Sequence, residues 1–223
     1  MPHFNLRHFM ETLGSQRGSE VFVLEIGAMD GKSFDPMHEY ISRYDWSAVL
    51  VEPVAEQFAK LQENFAGNPQ IRCVNTAIAE KIGSIAMHRI TDAVAAENKL
   101  PAWAGGAASL YPDRNALAFE KVREFVIREE VPCTTLPELI RQQNIQKIDI
   151  LQIDAEGHDY HILRQLDFSK FHPAIIHLEI VNLPKAEQTA CKRLLDEQRY
   201  LHIKAGYNLL AVSLKYLRDE HPE

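Results

Sequence analysis

The sequence lacks any apolar run long enough to cross a membrane. No stretch approaches the ~18 to 20 consecutive apolar residues that a spanning helix needs, and the first residues, MPHFNLRHFMETLG, lack the apolar core of a secretory signal. Cysteine is also scarce, since only Cys73, Cys133 and Cys191 occur and none is part of a C-x-x-C pair. We therefore expect a cytoplasmic protein with no membrane partner, whose cysteines are small core side chains.

A surplus of basic residues is missing as well. Lysine and arginine number 24 against 31 aspartates and glutamates, which gives a formal charge of −7. Nucleic-acid binding requires a basic surface that neutralises phosphates, so this balance argues against a nucleic-acid partner. Of the 223 residues, 46% are hydrophobic. This is enough for one large core, and we expect a single domain over residues 1–223.

The dinucleotide-binding motif G-x-G-x-x-G is absent from VFVLEIGAMDG, an apolar run that ends in two glycines. The acids Glu25 and Asp30 place negative charge where a pyrophosphate would sit, and electrostatics disfavours that arrangement. A ligand with a positive centre, such as S-adenosylmethionine (SAM), suits this loop better. An NAD-linked oxidoreductase on a related sheet remains the alternative.

What is present is a regular alternation of strand and helix patterns. Five apolar runs predict strands at residues 21–26, 47–52, 71–78, 148–154 and 174–180, and residues 199–214 predict an antiparallel hairpin. The pattern predicts a Rossmann-like α/β fold with a seven-stranded, mostly parallel sheet, helices on both faces and the hairpin at its C-terminal end.

The segments outside this alternation are expected to be accessory. Residues 1–18 predict a helical extension, residues 83–90 an accessory strand, residues 115–130 a helix, and residues 130–136 a strand. Residues 91–109 are rich in small side chains, which is typical of a mobile loop. This loop is either a lid that determines acceptor specificity or a surface loop anchored by Trp103.

Polar residues stand at the ends of the predicted parallel strands. Open α/β sheets bind ligands at these carboxyl ends. The residues found there are Glu25, Glu52, Asn75, Thr76, Asp154, Glu156 and Glu179. Burying acids is unfavourable unless something pairs with them, so they indicate a shared ligand, or else they cap helices and pair with lysine or arginine. Glu52, about 25 residues after Gly27, is positioned to accept the hydroxyls of an adenosine ribose, and residues 75–78 are a candidate floor for the adenine.

Several motifs then occur in a recognisable order. LEIGAMDG, VLVEPVAEQFAKLQENF, CVNTAIAE, IDILQIDAEGHDY and HLEI follow one another between about Val21 and Val212. In this order they resemble the FkbM-type family of class I, Rossmann-like SAM-dependent methyltransferases. IDILQIDAEGHDY is the most specific of them. Met29 departs from the family pattern because it replaces a glycine of the first motif, and Gln152 departs because lysine is frequent there.

The resemblance implies that SAM is the cofactor and that ten residues bind it: Glu25, Gly27, Ala28, Asp30, Gly31, Glu52, Pro53, Thr76, Ala77 and Asp154. In particular, it places Glu25, Gly27 and Gly31 at the methionine part of SAM. Glu52 would then bind the ribose, and Asp154 would face the sulfonium and the acceptor. The family also suggests that the acceptor carries its hydroxyl on a small molecule, a sugar or glycan, or a natural product.

Transfer to a hydroxyl requires alignment of the acceptor and removal of its proton. His158, four residues after Asp154, is the best-placed base, and Asp154 either orients it or takes the proton itself. The alternative is a solvated histidine in the first turn of a helix. We expect His161 on a helix surface and His177 in the core.

Two further alternatives remain open at this point. Asp154, Glu156 and Glu179, together with His158, are candidate ligands of a divalent metal because they offer hard oxygens and an imidazole. The function most in keeping with the sequence is SAM-dependent O-methylation, and a non-catalytic SAM-binding module is the remaining alternative.

Overall fold

The computed structural model describes residues 4–220 of the chain. Its helices are α1 (Leu6–Arg17), α2 (His38–Tyr44), α3 (Ala55–Asn64), α4 (Asp92–Glu97), α5 (Leu136–Gln142), α6 (Asp159–Leu163), α7 (Lys185–Glu197) and α8 (Leu214–Glu220). Its strands are β1 (Phe22–Ile26), β2 (Ser47–Val51), β3 (Ile71–Val74), β4 (Ala77–Ile78), β5 (Gly83–Arg89), β6 (Ala108–Ser109), β7 (Ile127–Thr134), β8 (Ile150–Ile153), β9 (Ile175–Glu179), β10 (Tyr200–Ala205) and β11 (Asn208–Ser213). Within residues 4–220, no helix has the length and apolar character to span a bilayer.

Seven strands form the central sheet, in the order β10-β11-β9-β8-β1-β2-β3. Strand β11 runs antiparallel to its neighbours β9 and β10, whereas β9, β8, β1, β2 and β3 pair in parallel. The strands are apolar on both faces because each face is covered: Leu24 and Val49 pack into one core cluster, Val23 and Leu50 into the other. The predicted Rossmann-like α/β fold and its C-terminal antiparallel strands are confirmed.

The helix predicted in residues 1–18 is α1, and residues 1–3 lie outside the described part of the chain. It begins at Asn5, whose side chain accepts a hydrogen bond from the backbone N–H of His8. Its residues Phe9, Met10 and Leu13 are buried in the same cluster as Val23 of β1. This helix therefore covers one face of the sheet as part of the core.

A second sheet has the order β4-β7-β5-β6. The strands predicted at residues 83–90 and 130–136 correspond to its β5 and β7, but their pairing in a separate sheet was not predicted. The third predicted strand, residues 71–78, breaks at Asn75 and Thr76, and its last two residues join this second sheet as β4. The helix predicted over residues 115–130 is wrong: the segment contains two short 3₁₀ turns and then β7. Residues from 127 on pair with β5 across seven positions, and this tertiary pairing outweighs a local helical pattern.

Residues 91–109 form an ordered structure rather than the expected irregular loop. Helix α4 begins at Thr91, whose hydroxyl accepts a hydrogen bond from the N–H of Val94. The segment is tied to α3 by Gln57, which donates to the backbone oxygen of Gly105 at 2.8 Å, and by the ion pair of Lys60 with Asp92. The segment therefore has a defined position next to the carboxyl ends of the central strands.

Candidate functional site

A cavity of about 750 Å³ opens at the carboxyl ends of the central strands. Ile26, Glu52, Asp154 and Glu179 line it at the ends of β1, β2, β8 and β9, and residues 103–119 contribute another part of the wall. This is the position at which open α/β sheets bind ligands. Its volume lies within the range of small-molecule sites.

Gly27 brings the ends of β1 and β8 together. The N–H of Asp154 donates to the backbone oxygen of Ile26 at 2.8 Å. Gly27 has φ +86°, and a Cβ there would overlap the backbone oxygen of Asp154. Only glycine fits this point without moving a strand end.

Met29 connects the glycine loop to the opposite wall of the cavity. It has φ +51°, a left-handed conformation that is uncommon for a side chain of this size. Its thioether lies where any side chain on Gly106 would collide with it. The departure from glycine at this position therefore supplies a contact between the loop and residues 103–109.

Glu52 is held rigidly at the end of β2. It is 5% exposed, and its two carboxylate oxygens accept hydrogen bonds from the N–H groups of Val54 and Met29, both at 2.8 Å. The pKa of Glu52 is raised to about 7, mainly by burial and also by the negative charge of Asp154, although the two N–H groups act in the opposite direction. Each carboxylate oxygen keeps a lone pair for a ligand hydroxyl.

Glu25 lies behind the glycine loop rather than in the cavity wall. Its Oε2 and the Oδ2 of Asp35 are both buried without a hydrogen-bond partner. Burial first, and then the neighbouring carboxyl group of Asp35, holds the pKa of Glu25 well above its usual range, and burial also raises the pKa of Asp35. The two carboxyl groups form a buried acid pair that the sequence reasoning missed, since it gave Asp35 no role.

Six of the ten residues expected to bind the cofactor line the cavity: Gly27, Glu52, Pro53, Thr76, Ala77 and Asp154. Glu25, Ala28, Asp30 and Gly31 are not among its lining residues. The Asp30 carboxylate instead closes the loop by accepting hydrogen bonds from the N–H groups of Lys32 and Ser33, at 2.9 and 2.6 Å. Gly31 packs against Leu61 and Phe65.

Asp154 ends β8 and faces a group of further acids. Burial raises its pKa to about 6. The amide of Asn182 donates to Glu156 at 2.8 Å and to Glu179 at 2.7 Å. The pKa of Glu156 is raised to about 9 and that of Glu179 to about 7, first by burial and then by the neighbouring acids. The candidate metal ligands Asp154, Glu156 and Glu179 thus lie in one cavity wall, and the Asn182 amide bridges two of them.

Asp159 was missed by the sequence reasoning and is fully buried. It accepts hydrogen bonds from the N–H groups of Ala155 and Gly157, at 3.2 and 3.1 Å. These bonds hold the turn between β8 and α6, in which Glu156 and Gly157 both have positive φ. The sequence feature that could have pointed to this role is an aspartate two residues after Gly157, the glycine of the turn.

His158 lines the cavity and is 3% exposed, so the alternative of a solvated histidine is wrong. Its Nδ1 lies 3.1 Å from the hydroxyl of Tyr111, and burial lowers its pKa to about 4. His177 is confirmed as a core histidine, because its Nδ1 lies 2.6 Å from the Oε1 of Gln152 on the neighbouring strand. That pairing also accounts for glutamine at position 152.

His161 is partly buried rather than on an open helix surface. Its two ring nitrogens lie 3.0 Å from an oxygen of Glu80 and 3.4 Å from an oxygen of Glu187. The ring stacks on that of His158, with centroids 4.9 Å apart and planes 11° from parallel. His161 and Glu80 therefore meet His158, which lines the cavity.

Comparison with known proteins decides between the possible ligands of this cavity. The family model of the methyltransferase FkbM domain matches residues 25–209. The chain belongs to the FkbM methyltransferase family. Its cofactor is accordingly SAM, and the expected resemblance is confirmed.

Solved structures similar to this chain match it at low identity. The METTL16 MTase domain is 12% identical with a TM-score of 0.50, over 93% of this chain and 65% of that one. The N-terminal domain of human METTL16 in complex with SAH is 13% identical with a TM-score of 0.48, over 93% and 68%. The fibrillarin pre-rRNA processing protein of Methanococcus jannaschii is 13% identical with a TM-score of 0.47, over 87% and 66%.

The FkbM methyltransferase chain thus spans just under two thirds of the length of two of these structures. A search of curated protein sequences finds no match.

The charges around the cavity suit the cationic cofactor of the family. Within residues 4–220, Arg114 is the one lysine or arginine that lines the cavity, against the acids Glu52, Asp154, Glu156 and Glu179. The pKa values of these four are raised by burial, and for three of them also by neighbouring acids. A bound sulfonium and ammonium would stabilise the ionised forms of these acids. The unpartnered Oε2 of Glu25 adds a buried acceptor directly behind the glycine loop.

Proposed function

We propose that this chain is a SAM-dependent methyltransferase that transfers a methyl group to a hydroxyl of a small molecule, a sugar or glycan, or a natural product. The observation that carries the proposal is the set of buried acids around the cavity, which lacks a compensating basic wall. Such a site favours a cationic nucleoside over a pyrophosphate. Residues 1–223 would act as one domain, which the packing of α1 into the sheet core supports.

The residues of the cavity fit the parts of the cofactor in a definite order. Glu52 would accept the ribose hydroxyls, with Pro53, Thr76 and Ala77 beside the adenosine. Gly27 lets the backbone approach the methionine part, and Glu25, Ala28, Asp30 and Gly31 would act by shaping the loop around it. When bound, SAM supplies an electrophilic methyl group next to a positive sulfur.

Asp154 is the proposed proton acceptor. A general base acts best when its pKa lies near the working pH. The pKa of Asp154, about 6, is closer to neutral than the pKa of about 4 of His158. Asp154 would therefore take the proton of the acceptor hydroxyl, and His158, in the same cavity wall, would help to position the acceptor.

The rim of the cavity indicates the type of acceptor. Four exposed apolar or aromatic side chains line the opening: Phe34, Phe119, Val181 and Tyr207. Phe34 is 74% exposed and Tyr207 is 71% exposed. Exposed apolar side chains grouped at one opening are typical of a ligand-binding site. A neutral or cationic acceptor with an apolar or planar face, such as a sugar ring or an aromatic natural product, suits this rim. The acidic wall disfavours the phosphates of nucleic acid.

The proposal is tested by isothermal titration of the purified chain with SAM, S-adenosylhomocysteine (SAH) and NAD. Binding of SAM and SAH with one site per chain, and none of NAD, is expected. Absence of SAM and SAH binding at millimolar ligand by a folded protein would refute the proposal. Transfer of a radiolabelled methyl group to a panel of hydroxylated small molecules then separates an enzyme from a SAM-binding module.

A further inference from the structure

Glu80, His158 and His161 bring three possible metal ligands together. One ligand atom from each lies within 4.8 Å of the other two, and this is the group of that kind found among residues 4–220. His158 and His161 stand three residues apart at the start of α6, so their side chains share one side of the helix. Glu80 reaches them from the residues that follow β4.

The two imidazole nitrogens that face Glu80 make no hydrogen bond with it. Nε2 of His158 and Nδ1 of His161 are buried and make no hydrogen bond of acceptable geometry, although carboxylate oxygens of Glu80 lie 3.5 and 3.0 Å away. A buried polar atom without a partner is unfavourable. A cation between the two rings and the carboxylate would satisfy all three groups at once.

The opposite nitrogen of each ring is held as it is in metal sites. Nδ1 of His158 lies 3.1 Å from the Tyr111 hydroxyl, and Nε2 of His161 lies 3.4 Å from Glu187. Histidines that bind a metal characteristically donate their other N–H to a carboxylate or another oxygen, which fixes the ring and its tautomer. Tyr111 and Glu187 therefore orient both imidazoles toward Glu80.

We infer that Glu80, His158 and His161 form a binding site for a divalent transition metal such as Zn²⁺ at the wall of the cavity. Two imidazoles and one carboxylate are a donor set that suits zinc and iron, and three protein ligands leave a position for water or for an oxygen of the acceptor. Zinc ligands at about 2.0–2.1 Å from the metal lie closer together than 4.8 Å. Binding thus draws the three side chains inward, which the 46% exposed Glu80 side chain can follow.

One basic group opposes the cation. Arg164 lies 3.4 Å from Glu80, and its side chain is 47% exposed, so it can turn into solvent. If the site binds a metal, removal of this competitor should increase the affinity. An ordinary surface cluster of charges would show no such gain.

The test is a titration of chelator-treated protein with Zn²⁺ in competition with a chromophoric chelator, and with Co²⁺ followed by visible absorption. One metal ion per chain is expected. Glu80→Gln and His161→Gln should each weaken Zn²⁺ binding at least tenfold, whereas Arg164→Gln should strengthen it. His8→Gln, which changes an exposed histidine of α1, should leave the affinity unchanged.

The inference would be overturned by wild-type protein that binds no Zn²⁺ at micromolar concentrations, by Glu80→Gln and His161→Gln variants with unchanged affinity, or by an equal loss in His8→Gln. The metal site rests on the proposed function only for its role toward the acceptor. SAH affinity is therefore measured on the same samples: SAH binding without Zn²⁺ binding overturns the metal site alone, and a folded protein that binds no SAH overturns the proposed function.

Discussion

Replacement of Glu52 by glutamine separates its charge from its size. In the free protein both carboxylate oxygens already accept a backbone N–H at 2.8 Å. Glutamine retains one acceptor oxygen, while its amide group can no longer accept on the other side. The cofactor therefore loses about one hydrogen bond to a charged group, which contributes roughly 1.5–3 kcal/mol. We expect the Kd of SAH to rise about 10- to 150-fold.

The same variant carries a second signature, in the pH dependence of binding. The pKa of Glu52 is about 7 in the free protein and is raised by burial and by Asp154. An ionised carboxylate is the better acceptor for two hydroxyls, so wild-type affinity should increase between pH 6 and 8. Glu52→Gln should lack that part of the increase.

Titration calorimetry with SAH at pH 6, 7 and 8 measures both effects. Glu63→Gln, the same substitution on the exposed side of α3, is the matched control and should bind like wild type. Thermal unfolding verifies that each variant is folded. A folded Glu52→Gln protein that binds SAH within threefold of wild type at pH 8 would show that Glu52 does not hold the ribose.

Three further predictions concern the same cavity. Asp154→Asn should weaken binding of SAM about tenfold more than binding of SAH, because only SAM carries the sulfonium charge; equal losses in the two titrations would argue against a contact with the sulfur. Gly27→Ala should lower Tm by about 4–10 °C, because the alanine Cβ would overlap the Asp154 backbone and position 27 has φ +86°. An unchanged melting curve would contradict the close approach of β1 and β8. The ligand-free protein should lose stability between pH 6.5 and 9. In the folded state, the pKa values of Glu52 and Glu179 are raised to about 7 and that of Glu156 to about 9. The folded state therefore holds protons that the unfolded chain has already released, and its stability falls as the pH rises. Below pH 6.5 the depressed pKa values of His158 and His177 act in the opposite direction. Calorimetry should therefore measure the decline above pH 6.5, and stability that rises there would refute this prediction.

The central sheet was predictable because its strands are buried on both faces. Continuous apolar runs such as residues 21–26 can satisfy their burial only in a covered sheet, and polar residues at their ends mark the ligand edge. The second sheet was not predictable in this way. Its strand β7 contains the charged residues 128–130 and is exposed at four of its eight positions, and its pairing with β5 joins residues 38 to 50 positions apart.

In the site, too, residues next to a predicted strand could be located from the sequence, whereas contacts between distant segments could not. Glu52 and Asp154 follow apolar strands directly, so their location could be read from their own neighbourhood. Tyr111 reaches His158 from outside every recognised motif, and Glu80 reaches it from the end of another motif, so only the tertiary structure brings them together. Glu25 is an intermediate case: its strand end was correct, but the turn at Gly27 directs the cavity past it.

The contact between Met29 and Gly106 bears on how this enzyme could be redesigned. Any side chain at position 106 would push on the thioether and, through the N–H of Met29, on the carboxylate of Glu52. Libraries aimed at new acceptors should therefore leave position 106 as glycine. They can vary Trp103 and Phe119, which line the cavity and meet edge to face at 6.1 Å. The wall would then contain one position that must stay constant and a neighbouring aromatic pair that is open to change.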